Sequence, residues 1–113
     1  MKEEQAVTAV REALDVKFGQ DIVVMDLREL TTIADYFVIA TATSRPQMVA
    51  LADSVLEAMV DYNIDLHHTE GMQAGNWVLL DFGSIIVHLF DKENRDFYNL
   101  ERVWGDAKVT RVE

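Results

Sequence analysis

Apolar residues recur at steps of three and four from the start of the chain: Val7, Val10, Leu14 and Phe18. That is the period of an amphipathic helix with one buried stripe, and Gly19 stands where such a helix ends. The pattern then changes. Residues 21–27 and 36–41 are short apolar runs rich in β-branched side chains, too short for helices, and are expected as buried strands. Ser44-Arg45-Pro46-Gln47 opens a second helix. Ser44 can accept a bond from the backbone N–H of Gln47 while the Gln47 side chain reaches back, a capping box. Pro46 in the first turn is harmless, because those N–H groups have no internal partner. Met48, Leu51, Ala52, Val55 and Met59 supply the buried stripe. A weaker strand is expected over residues 64–69. Near the C-terminus Phe97, Leu100 and Trp104 return to helical spacing, with Gly105 as the stop.

The most informative stretch is 76–90. Two apolar runs, 77–82 and 85–90, flank Gly83-Ser84, and glycine first in a two-residue loop marks a tight hairpin. The turn sets the register, pairing Phe82 with Ile85 and Asp81 with Ile86. Side chains alternate along a strand, so one face carries Val78, Leu80, Phe82, Ile85, Val87 and Leu89, all apolar. The other carries Trp77, Leu79, Asp81, Ile86, His88 and Phe90. The first is a core face. The second is too apolar for water and too polar for a core, the composition of a surface that meets a partner, a covering helix or a second copy of the chain. The expected architecture is therefore α/β: one domain spanning 1–113, a mixed β-sheet, and helices mainly on the face bearing Leu80 and Val87.

Composition narrows the function. The 113 residues suit one core. Twenty acidic side chains against ten basic ones give a net charge of −10, which repels phosphate backbones and favours a basic partner over direct sequence-specific nucleic-acid binding. Cysteine is absent, which excludes disulfides and thiolate metal sites. The acidic first residues do not resemble a targeting segment, and no apolar run reaches the roughly 20 residues of a membrane helix. A cytoplasmic protein with no membrane partner is expected.

Candidate chemistry is sparse. His67-His68-Thr69-Glu70 is the only metal-like cluster, but adjacent histidines on a strand point to opposite faces and rarely share an ion. No metal site and no cofactor are expected. Gly-rich phosphate loops, nucleophile elbows and His-Glu-x-x-His are all missing, and Ser44 is better used as a cap than as a nucleophile. Residues 94–104 are dense in aromatics and arginine. On one helix Arg95 and Tyr98 would extend the Trp77 surface, since Trp, Tyr and Arg are the usual interface anchors. The candidate partner-binding set is Trp77, Leu79, Asp81, His88, Phe90, Arg95 and Tyr98.

The motifs, in order, resemble the Iojap or ribosomal silencing factor family over most of the chain. They are Gln20-Asp21-Ile22-Val23-Val24-Met25-Asp26, Ala34-Asp35-Tyr36-Phe37-Val38-Ile39-Ala40-Thr41, Ser44-Arg45 with Gln47, and Glu70-Gly71. Then follow Trp77-Val78-Leu79-Leu80-Asp81-Phe82-Gly83, Val87-His88-Leu89-Phe90, and Arg95 with residues 97–104. The resemblance implies a translational repressor that binds the large ribosomal subunit through its fourteenth protein and blocks joining of the small subunit. It also implies a fold related to nucleotidyltransferases. That chemistry needs a Gly-Ser pair at a strand–helix junction and two carboxylates, as Asp-x-Asp, to hold Mg²⁺. Here Gly83-Ser84 lies in a hairpin, and neither Asp21, Asp26 nor Asp81 has an aspartate two residues away. The implied protein is not an enzyme. A homodimeric scaffold using the Trp77 face, and a nucleotide-handling enzyme with atypical ligands, are the alternatives.

Overall fold

A computed structural model describes residues 2–111. The first helix, α1 (Lys2–Val16), turns Ala6, Val7, Val10 and Leu14 inward. Phe18 does not continue the stripe. The helix closes with the Phe18 N–H on the Asp15 carbonyl at 3.0 Å and the Gly19 N–H on the Leu14 carbonyl at 2.9 Å, a Schellman close. Phe18 itself takes the left-handed position at φ 65°, and its ring is 81 % exposed.

Strands β1 (Gln20–Asp26) and β2 (Tyr36–Thr41) pair antiparallel. Helix α2 (Arg45–Val60) follows, and Ser44 accepts from the Gln47 N–H at 3.2 Å. The reciprocal half of the capping box is displaced by one residue. Gln47 Oε1 accepts from the Thr43 N–H at 2.6 Å, and Nε2 donates to the Phe18 carbonyl at 2.8 Å. Gln47 therefore ties the start of α2 to the end of α1 instead of serving its own helix.

The remaining elements are β3 (His68–Glu70), β4 (Trp77–Asp81), β5 (Ile85–Phe90), α3 (Lys92–Tyr98), α4 (Leu100–Val103) and β6 (Lys108–Arg111). The weak strand thus starts later than its apolar residues, and Ile64 is used to pack beneath the sheet. The terminal helix is two short helices. Asn99, at φ 42°, breaks it, as asparagine tolerates the left-handed region. That break removes Phe97 from the packed stripe and leaves it 77 % exposed, whereas Leu100 and Trp104 pack inward.

Among the described residues the sheet has six strands in the order β3-β4-β5-β2-β1-β6. The β2–β5 pair is parallel and the others are antiparallel, so the sheet is mixed. Its centre is buried on both faces, which explains why every residue of β2 and β5 is buried. Helices α1 and α2 cover the face with Val78, Leu80, Val87 and Leu89. The opposite face buries Val23, Met25, Phe37, Ile39, Ile86 and Phe90 under Leu100, Trp104 and Ala107. No helix is long and apolar enough to cross a membrane among the described residues.

Candidate functional site: the aromatic end of the sheet

The hairpin forms in the expected register, with Trp77 opposite Phe90, Leu79 opposite His88 and Asp81 opposite Ile86. The Phe82 N–H closes the turn on the Ile85 carbonyl at 2.9 Å. Val78, Leu80, Phe82, Ile85, Val87 and Leu89 all enter the helix-covered core. On the other face, the C-terminal segment packs over the middle of the sheet, whereas Trp77, Leu79 and Asp81 stay partly exposed.

Aromatic packing organises this end. Trp77 stacks on Phe90 with ring centroids 5.0 Å apart. Tyr98, brought in by the end of α3, lies 4.4 Å from Trp77 and is 41 % exposed. Phe97 meets Tyr98 edge-on at 5.0 Å. Trp77 Nε1–H donates to His88 Nδ1 at 3.1 Å, and Phe37 touches the imidazole edge-on at 4.5 Å. With no charged partner beside it, burial alone pushes the His88 pKa down to about 4.

The candidate residues fall into two layers. Trp77, Leu79, Asp81 and Tyr98 reach the surface, whereas His88, Phe90 and Arg95 are buried beneath it. Arg95 therefore does not extend the surface beside Tyr98. Its guanidinium, 7 % exposed, donates to Thr41 Oγ1 at 2.9 Å, to the Asp21 carbonyl at 2.8 Å and to Glu101 at 3.2 Å. It pins α3 and α4 to the ends of β1 and β2. Asp81 is held too: Oδ1 accepts from the Gly83 N–H at 2.7 Å, inside the hairpin turn. Sequence spacing missed Phe97 as a surface aromatic, because the break at Asn99 leaves no periodicity signal. It also missed Glu101 as the partner of Arg95.

Other candidate chemistry is occupied by structure. His68 pairs with Glu70 at 2.7 Å on the exposed edge strand, whereas His67 lies against the Gly83 turn. Among the described residues no group of three or more His, Asp or Glu could hold a metal ion. A cleft of about 510 Å³ opens where β2 and β5 end, lined in part by Ser44, Arg45, Asn76, Asp91 and Lys92. Ser44 and Asp91 there cap α2 and α3, and Arg45 donates to the Gln73 carbonyl. The Arg28 guanidinium, bonded to Asp26 at 2.7 Å, holds that carboxyl below the usual carboxylate range.

The family model described as "Ribosomal silencing factor during starvation" matches residues 1–113. The chain belongs to that family. It is 32 % identical to the Ribosomal silencing factor RsfS of Halalkalibacterium halodurans over 113 residues, covering 100 % of this chain and 97 % of the relative. It is 33 % identical to the Bacillus subtilis RsfS, covering 100 % and 96 %. A crystal structure of a Chromobacterium violaceum protein superposes with a TM-score of 0.88 at 33 % identity, covering 100 % of this chain and 94 % of that one. Ribosomal silencing factors are named for an action on the ribosome, and the aromatic end is a part of this fold that stays partly exposed.

Proposed function

We propose that this chain docks on the large ribosomal subunit through its aromatic end and represses translation by standing where the small subunit must dock. Family membership supports the ribosome as the target. In this reading the immediate partner is the fourteenth large-subunit protein, the setting is the cytoplasm, and no turnover is involved. The observation that carries the surface assignment is the half-covered sheet end. Trp77 and Tyr98 stand partly exposed on a floor of Phe90 and His88, beside Leu79. Aromatic anchors on a rigid floor are what protein interfaces use as energetic centres.

The net charge of −10 suits a basic ribosomal protein, speeds encounter and repels the surrounding RNA. The effect then equals occupancy. A non-catalytic role is supported by how the polar groups are used: Ser44 and Asp91 cap helices, Asp81 holds a turn, and Asp26 is bonded to Arg28.

Sedimentation with purified ribosomal particles tests the proposal. The chain should pellet with large subunits and not with assembled ribosomes. Trp77→Ala and Tyr98→Ala should each weaken large-subunit binding by roughly 30-fold, the worth of a central interface aromatic. Equal binding to subunits and assembled ribosomes would exclude the block on joining. Nucleotidyl transfer abolished by Asp81→Ala would overturn the non-catalytic reading.

A further inference from the structure

His88 sits one layer below the surface, on the strand that floors it. The β5 register places it beside Leu79 on one side and Ile39 on the other, with its ring only 4 % exposed. Trp77 belongs to the next row, opposite Phe90, and reaches diagonally to the imidazole. Two kinds of contact hold the indole. Phe90 and Tyr98 fix its plane, at centroid distances of 5.0 and 4.4 Å. Stacking on Phe90 still permits a half-turn about the Cβ–Cγ bond, which keeps the plane of the ring but exchanges its two edges. The bond from Nε1–H to His88 Nδ1, at 3.1 Å, removes that freedom.

The bond constrains the imidazole in return. Nδ1 can accept only if it is bare, so the neutral ring carries its proton on Nε2. That nitrogen is buried and has no hydrogen-bond partner among the described residues. Charged groups share this face: Glu70 and His68 on β3, Asp81 on β4, Arg111 on β6, and Arg95 and Glu101 from the C-terminal helices. Among the described residues none of them bonds the ring. An apolar ring in this position would leave no orphan N–H, so the site carries a cost in stability that packing does not explain.

We propose that His88 is a positioning residue, which selects the edge of the Trp77 indole that turns to the floor and so shapes the partner surface. The inference rests on the proposed docking of that surface on the large subunit. His88 touches no partner itself and acts through Trp77.

Affinity of the full chain for purified large subunits, measured together with melting temperature, tests it on three variants. His88→Phe removes the acceptor and the orphan N–H together. It should lower affinity by about fivefold to tenfold, the worth of one oriented hydrogen bond, with the melting temperature unchanged or raised. In His88→Asn the amide oxygen takes the place of Nδ1, so binding should return to within about twofold of the parent despite a lower melting temperature. Opposite orders of stability and affinity separate positioning from a merely structural role. Affinities that follow the melting temperatures, or parental binding by His88→Phe, would overturn the proposal. Trp77→Ala separates the two readings. If it binds like the parent, the surface assignment fails and the role of His88 fails with it. If it binds weakly while His88→Phe does not, positioning alone fails. Should His88→Phe not fold, nitrogen NMR of the parent protein decides. A bare Nδ1 and a slowly exchanging Trp77 indole proton are expected, and a protonated Nδ1 at neutral pH would rule the idea out.

Discussion

The guanidinium of Arg95 reaches Thr41 at the end of β2, the Asp21 carbonyl at the start of β1, and Glu101 in α4. Removing it leaves the partly buried Glu101 carboxylate without its counter-charge. Arg95→Ala should therefore destabilise by about 3 kcal/mol in urea denaturation, and adding Glu101→Gln should restore part of that loss by removing the stranded charge. His88 makes a second prediction at this scale. Its folded pKa, about 4, lies below the ordinary 6.5, so the unfolded chain binds a proton that the folded one refuses. The associated stability is complete above pH 6.5 and is lost as the pH falls toward 4. About 1 kcal/mol should be gone at pH 5.5 and about 3 kcal/mol near pH 4. Comparing denaturation of the parent and His88→Phe across pH 7.5 to 4.5 isolates this slope from carboxylate titration; an equal slope in both would contradict it. These roles differ in how legible they are. The hairpin turn dictates which residues share a face with Trp77, so His88 and Phe90 could be placed beside it. Nothing in a linear spacing tells which of two layers a residue on that face occupies, and so Arg95 looked like a surface anchor.

At the scale of elements, two glycines shape the loops that frame the site. Gly83 opens the hairpin turn at φ 87°, and a Cβ there would come 2.9 Å from the ring edge of His67, a side chain that can swing away. Gly71 has a similar φ of 80°, but its Cβ would lie 1.9 Å from the Trp77 carbonyl oxygen, which belongs to the sheet and cannot yield. Gly83→Ala should thus cost about 1–2 kcal/mol, the strain of a left-handed alanine. Gly71→Ala should cost clearly more, and should weaken ribosome binding beyond its effect on folding, since it displaces Trp77. Equal melting temperatures for the two variants would refute the distinction. The elements readable in the chain are those whose burial imposes a period, α1, α2 and the hairpin, or an unbroken apolar run, β1 and β2. Those that escaped are held by contacts distant in sequence. Strand β6 is exposed throughout and exists because β1 offers it an edge. The terminal helix divides at one asparagine, so that Leu100 and Trp104 pack onto the sheet while Arg95 reaches the ends of β1 and β2 on the same face.

For the molecule as a whole, the proposed docking gives the two faces of the sheet different tasks. Its helix-covered face builds stability, and Leu80, fully buried there, should cost about 2–5 kcal/mol when cut to alanine. Trp77→Ala on the other face should leave the melting temperature much closer to the parent while affecting binding more, and calorimetry beside the sedimentation assay checks both. If Trp77→Ala melts as low as Leu80→Ala, the indole is core and the partition of the faces fails. The mixed sheet was legible because two early strands, a helix and a late hairpin admit few other arrangements; the order in which β5 enters beside β2 was not, because a parallel pair is made by no local turn. That order has a consequence in time. Strands β1 and β2 can meet as soon as both exist, whereas β2 must wait for β5, and β1 for β6, until most of the chain has been made. During that interval Val23, Val24 and Met25 present an unpaired apolar edge, the kind of template on which nascent chains pair with one another. The short strand with a lysine and an arginine at its ends, added late, then acts as a lid on a hazard that earlier synthesis had opened.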